Sequence, residues 1–158
     1  MTLLEPRILI SPDSDSWACF SADTIEQTIH AVLSCKNVCH MVLTGGRAAE
    51  RLYKYWADTA TLPLKGLRFL FSDERCVPPD HADSNYALVM KTLLVEGVPS
   101  GCSIARMEAE NPDRKAAAKA YEKLIPEKID ILLLGMGADG HIASLFPGSS
   151  VLHAEQRS

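Results

Sequence analysis

Three short segments of this chain gather residue types that do chemistry. Thr44-Gly45-Gly46-Arg47 joins two glycines to a guanidinium. Glycines let a backbone approach an anion closely, a following helix N-terminus adds unpaired N–H groups, and Arg47 offers a bidentate contact to phosphate. Asp73-Glu74-Arg75 sets two carboxylates beside a second guanidinium, directly behind Phe69-Leu70-Phe71-Ser72. Gly135-Met136-Gly137-Ala138-Asp139-Gly140-His141 is a glycine turn that presents a carboxylate and an imidazole. An unperturbed imidazole titrates near pH ~6.5, so His141 suits proton abstraction from water, with a neighbouring carboxylate to orient it. Asn85 and the Pro78-Pro79 turn lie close enough in sequence to Asp73 to shape the same rim. Each segment also has a plain reading: a strand-to-helix turn, a solvated charge run, and a surface or core histidine.

The third segment contains a literal G-x-G-x-x-G. In a dinucleotide-binding unit this pattern opens a long helix, with an acidic residue about 20 positions further on. Here Pro147 and Gly148 cut a helix short, and Glu155 stands only 15 positions beyond Gly140. A nicotinamide dinucleotide is therefore not expected. His30, His40, His81 and His153 lack a comparable setting and read as bystanders. No G-x-S-x-G nucleophile elbow is present, which argues against a covalent serine route.

Elements must hold these segments in place, and the apolar pattern supplies them. Arg7–Ile10 reads as a first strand, followed by a helix with Ile25, Ile29, Val32 and Leu33 on one face and a start between Ser14 and Ser21. Val38–Leu43 reads as a strand, then Ala49, Leu52, Tyr53, Trp56 and Ala57 mark an amphipathic helix. Leu67–Phe71 is a third strand. Ser84 is expected to cap a helix with Tyr86, Val89, Met90, Leu93 and Leu94 inward. Ile104–Met107 is a short strand, and Asn111-Pro112 opens a helix with Ala117, Ala120, Tyr121, Leu124 and Ile125 inward. Ile129–Leu134, apolar throughout, reads as a strand covered on both faces. This alternation predicts an α/β fold, a mostly parallel sheet with helices on both sides. Such sheets bind ligands outside the C-terminal ends of their strands, where all three segments fall.

The 158 residues fit one domain, 1–158. With 47% hydrophobic and 23% charged residues the composition excludes disorder, collagen and coiled coil. A formal net charge of −4 gives no basic footprint for nucleic acid or anionic membrane. No apolar run nears the roughly 18 residues of a membrane span, and Met1-Thr2-Leu3-Leu4-Glu5-Pro6 lacks the regions of a signal peptide. Cys19, Cys35, Cys39, Cys76 and Cys102 show neither C-x-x-C nor zinc-finger spacing. They read as reduced thiols of a cytoplasmic protein, with no metal site expected.

Together the three segments resemble the 6-phosphogluconolactonase family, relatives of glucosamine-6-phosphate isomerase/deaminase, over nearly the whole chain. Leu43-Thr44-Gly45-Gly46-Arg47 with Leu52-Tyr53 looks like that family's phosphate loop. Phe71-Ser72-Asp73-Glu74-Arg75-Cys76-Val77-Pro78-Pro79-Asp80-His81 with Asp83-Ser84-Asn85-Tyr86 is similar to a second signature. The run from Leu134 through Asp139-Gly140-His141 to Phe146-Pro147-Gly148 is similar to a third. The resemblance implies a three-layer α/β/α sandwich, no metal or organic cofactor, and hydrolysis of 6-phosphoglucono-1,5-lactone in the pentose phosphate pathway. It implies His141 as the general base, Asp139 shaping that site, and Asp73 contacting His141 or the sugar. Arg75 and Asn85 would bind substrate, and Thr44, Gly45, Gly46 and Arg47 would hold its phosphate. A small phosphosugar lactone is then the partner, with neither nucleic acid nor membrane.

Three differences within the resemblance carry weight. The deaminase branch continues its third signature with a glutamate that supports ring opening, where this chain has Phe146. A phenyl ring transfers no proton, so the lactonase branch is favoured. Relatives commonly place a hydroxyl residue and then proline after the arginine of the phosphate loop. Ala48 and Ala49 stand there, which implies weaker phosphate affinity. Family members also continue past the Pro-Gly-Ser segment. A parallel sheet without its last strands exposes an edge, which leaves a fragment, a truncated non-catalytic sugar-phosphate-binding paralogue and a homo-oligomer as open readings.

Overall fold

Asp13 accepts hydrogen bonds from the N–H groups of Asp15 (3.0 Å) and Ser16 (2.7 Å), which starts α1, Ser14–Cys35. The computed structural model describes residues 6–154. After α1 come β1 (Cys39–Leu43), α2 (Arg47–Thr59), β2 (Leu67–Phe71), α3 (Asn85–Thr92), β3 (Ser103–Ile104), α4 (Arg114–Glu122), β4 (Ile131–Leu132) and a 3₁₀ turn, Ser150–His153. The hexapeptide at the start of the chain, apart from Pro6, and Glu155 lie outside the described residues. No described helix is long and apolar enough to cross a membrane.

All strand pairs are parallel, in the order β3-β2-β1-β4. Side chains alternate along a strand, so each sheet face recruits its own helices. Met41, Leu43, Phe69 and Phe71 join Ile29 of α1, Leu52, Tyr53 and Trp56 of α2, and Val89 of α3 in the main core. Val42 and Leu70 point the other way and pack against Tyr121 of α4. This is the expected α/β/α layering. The chain runs outward from β1 through β2 to β3 and then returns to the other side of β1. The order therefore reverses at β1, the switch point beyond whose strand C-termini sheets of this kind bind ligands.

Tyrosine hydroxyls clasp the ends of the two central strands. Tyr53 of α2 donates to the Thr44 carbonyl (2.7 Å) and accepts from the Thr44 N–H (3.2 Å). Tyr121 of α4 does the same for Phe71, at 3.1 and 2.7 Å. Burial pushes both phenols above their ordinary range, so both remain neutral donors.

Four expectations need correction. Arg7–Ile10 forms no strand: no sheet edge pairs with it, and Ile8 and Ile10 are 79% and 88% exposed. Leu9 and Ile10 instead line a hollow of about 220 Å³ against Trp17 and Phe20 of α1. The cap of α4 is Asp113, which accepts from the Ala116 N–H; Asn111 is used two residues earlier, accepting from the Asp113 N–H. On α4 and the turn after it only Tyr121 is buried, while Ala120, Leu124 and Ile125 face outward. Finally, β4 is a sheet edge covered on one face. Ile131 is buried beside Met41, whereas Leu132, in register with buried Val42, is 51% exposed because α4 does not extend over it.

Candidate functional site

The loop after β1 leads into α2 through Gly46, whose φ of 95° lies in the left-handed region that favours glycine. Gly46 supplies no side-chain cap, and the first backbone bond of the helix is Glu50 N–H to the Gly46 carbonyl. The N–H groups of Arg47, Ala48 and Ala49 have no protein acceptor among the described residues, and Gly46, Arg47 and Ala48 are exposed. A helix end of this kind carries a partial positive charge, and Arg47 adds a full one.

Gly45 is glycine for a different reason. A Cβ there would overlap the side-chain oxygen of Asn85. Asn85 is 1% exposed and opens α3, and its amide nitrogen donates to the Asp73 carbonyl (2.9 Å) and carboxylate (3.3 Å). Its Oδ1, turned to Gly45, is buried without a hydrogen-bond partner among the described residues. The structure thus packs Asn85 into the wall between the first two segments.

Glu74 spends its whole carboxylate on structure. Oε1 accepts from the N–H groups of Arg75 (2.8 Å) and Asn85 (2.7 Å), and Oε2 from the Tyr86 N–H (2.9 Å) and the Ser84 hydroxyl (3.0 Å). The Ser84 hydroxyl accepts in turn from the Ala87 N–H (3.1 Å). Every free N–H in the first turn of α3 is thereby satisfied. With Glu74 committed, Arg75 is the exposed member of the triplet, and Asp73 is half-buried between Asn85 and Ser144. Arg75 is exposed and anchored by one donation to the Asp83 carbonyl (2.6 Å).

The segment after β4 closes into a tight turn. Gly137 N–H donates to the His141 carbonyl (2.8 Å), Gly140 N–H to the Gly137 carbonyl (3.0 Å), and Gly140 takes φ 85°. A second turn joins Ile142 and Leu145, with Ala143 at φ 50°, a left-handed conformation that costs a non-glycine residue about 1–2 kcal/mol. Within this hairpin His141 Nδ1 lies 2.5 Å from Asp139 Oδ1. The hydrogen bond from His141 holds the Asp139 carboxyl below the usual carboxylate range. Asp139 is therefore ionised at neutral pH and can only accept, so Nδ1 carries a proton and Nε2 is the ring nitrogen that Asp139 does not engage. Nε2 has no protein partner among the described residues. Phe146 stacks on the imidazole at 4.7 Å between centroids and 30° between planes.

Two contacts bring the turn to the other segments. Ser144 donates to Asp73 Oδ2 (2.8 Å), and Gly135 abuts the Gly45 carbonyl, 4.0 Å from where its Cβ would stand. The three segments therefore meet beyond the C-terminal ends of β1, β2 and β4. The carboxylate on the imidazole is Asp139; Asp73 reaches the turn through Ser144. The sequence reading singled out the segments holding Glu74 and Gly137 but not the roles of these residues or of Ser144. Ser144 left a weak signal, a hydroxyl three residues beyond His141. Glu74 left none, because its partners lie ten to twelve positions away across a proline-rich loop. No group of three or more His, Cys, Asp or Glu among the described residues is arranged to hold a metal ion.

The family described as glucosamine-6-phosphate isomerases/6-phosphogluconolactonase matches residues 12–158. A 6-phosphogluconolactonase of Pseudomonas putida is 37% identical over 147 residues, covering 90% of this chain and 59% of the relative. One from Treponema pallidum is 36% identical over 126 residues, covering 73% and 52%. Among solved structures, 6-phosphogluconolactonase from Trypanosoma brucei superposes with a TM-score of 0.80 at 29% identity, covering 92% of this chain and 65% of that one. A monomeric glucosamine-6-phosphate deaminase at 22% identity and TM-score 0.71 shares the fold. The chain thus spans between half and two thirds of the length of these relatives.

Proposed function

The chain belongs to the glucosamine-6-phosphate isomerase/6-phosphogluconolactonase family, and from that premise we propose that it hydrolyses 6-phosphoglucono-1,5-lactone to 6-phosphogluconate. One observation carries the reading: an imidazole with a free Nε2 and a carboxylate on Nδ1 sits on a turn tied to Asp73 and abutting the Gly45 loop. In this reading the substrate phosphate rests on the N–H groups of Arg47, Ala48 and Ala49 with the Arg47 guanidinium, and Thr44, Gly45 and Gly46 shape the bed. Arg75 and Asp73 line the sugar side. Asn85, buried, holds Asp73 and the Gly45 loop in register.

His141 Nε2 takes a proton from water as the oxygen attacks the lactone carbonyl. Asp139 holds the Nδ1 proton and stabilises the imidazolium that forms. When the ring C–O bond breaks, the imidazolium returns its proton to the departing alkoxide oxygen, which stays in the same molecule. A δ-lactone is an activated ester, so one positioned base suffices. General-base help is worth roughly 10²–10⁴ in rate, and holding the phosphate adds an orientation effect of at least that order. A family glutamate that would support ring opening of an amino sugar is replaced by Phe146, which packs against His141 and supports the lactonase branch over the deaminase. Five cysteines free of disulfides accord with a cytoplasmic setting.

The test is a coupled assay on fresh lactone. The wild type should exceed His141→Ala by about 10²–10⁴, and 6-phosphogluconate at 100 times its Kd should raise unfolding stability by about 2.7 kcal/mol. Equal rates at the spontaneous background would remove the hydrolase reading. Stabilisation without turnover would leave a sugar-phosphate-binding protein.

A further inference from the structure

We propose that Gly137 is a positioning residue for His141: the imidazole occupies the volume that a side chain at position 137 would fill. A Cβ on Gly137 would overlap Cε1 and Nδ1 of the ring and stand 2.7 Å from Asp139 Oδ1. Its main-chain bonds, N–H to the His141 carbonyl and carbonyl to the Gly140 N–H, do not involve the missing side chain. The backbone of Gly137 also lies outside the left-handed region, so L-residues can adopt it. A side chain here would therefore displace the ring rather than strain the chain.

The three glycines of the turn thereby separate into three roles. Gly140, at φ 85° with nothing within 4 Å of a Cβ, is required by conformation. Gly135, whose Cβ would meet the Gly45 carbonyl at an ordinary 4.0 Å, tolerates a methyl group. Gly137 brings the ring against the backbone, Asp139 fixes Nδ1, and Phe146 covers a ring face. These contacts leave Nε2 as the free nitrogen. That this nitrogen activates water rests on the lactonase reading; the placement of the ring rests on geometry alone.

The experiment compares Gly137→Ala with Gly135→Ala in the full chain. Imidazole ¹⁵N–¹H correlation spectra, assigned with His141→Gln, read the tautomer and its hydrogen bond. In Gly137→Ala the Nδ1–H signature should be lost, and kcat should fall about 100-fold at unchanged KM, the scale of a displacement near 1 Å. Gly135→Ala should keep the wild-type imidazole spectrum. Phe146→Leu, at a position 49% exposed and tolerant in folding, provides a second probe. It should keep the Nδ1–H bond to Asp139 but lower kcat about 2- to 10-fold, the worth of one ring–ring contact. A folded Gly137→Ala with the wild-type imidazole spectrum would overturn the proposal, as would equal losses in Gly135→Ala. A displaced ring in a chain whose wild type has no lactonase activity would support the positioning role while removing the lactonase reading.

Discussion

Helices α2 and α3 begin in opposite ways at the same end of one sheet. The first turn of α3 is filled by the protein itself: Glu74 takes two backbone N–H groups and the Ser84 hydroxyl, and Ser84 takes a third N–H. The first turn of α2 has a glycine cap, three N–H groups without an acceptor among the described residues, and an exposed arginine. Both ends carry the same partial positive charge. Glu74 satisfies the donors of α3 from within the protein, whereas the donors of α2 are left to the substrate phosphate in the proposed function.

The contrast predicts that damage at α3 appears as lost stability and damage at α2 as lost binding. Glu74→Ala should cost most, about 2–4 kcal/mol in urea unfolding, because it orphans several donors at once. A variant as stable as wild type would break the comparison. Gly45→Ala comes next, at about 1–3 kcal/mol of overpacking against the Asn85 amide. In an Asn85→Ala background that cost should largely vanish, and a double-mutant cycle measures the coupling. Arg47→Ala should leave stability within about 0.5 kcal/mol yet weaken 6-phosphogluconate about tenfold by calorimetry, since a charge-assisted contact is lost. The smallest effect concerns pH. The hydrogen bond from His141 lowers the folded-state pKa of Asp139 below its unfolded value. The bond is therefore fully present above pH ~4 and is lost as pH falls through the lowered value. A carboxyl ¹³C titration should place its midpoint below the ordinary carboxylate range in wild type and higher in His141→Ala, which keeps only the main-chain bond from the 141 N–H.

Sequence reading reached the parts of the molecule governed by local periodicity. Val38–Leu43 and Leu67–Phe71 became central strands, and the Ala49–Leu52–Tyr53–Trp56 stripe became the buried face of α2, because each apolar set finds a partner nearby in the chain. The positions of the three chemical segments followed from the parallel topology, which delivers every strand to one end of the sheet. Arg7–Ile10 failed because a strand is a property of pairing, and no neighbour pairs with it. Ile129–Leu134 was read as buried on both faces, yet α4 covers Val42 and stops short of Leu132. At the site, His141 and Asp139 were legible through their spacing of two. Glu74, Ser144 and the fit of Gly137 to the imidazole were not, since each depends on a contact that only the folded chain makes.

The most direct measurement is kcat/KM for 6-phosphoglucono-1,5-lactone against the same lactone without its phosphate, in wild type and in Arg47→Ala. If the open turn of α2 grips phosphate while His141 serves the carbonyl, removing the phosphate should cost the wild type about 100-fold or more. Most of that preference should disappear in Arg47→Ala. Equal kcat/KM for the two lactones in the wild type would contradict the assignment of the two helix ends.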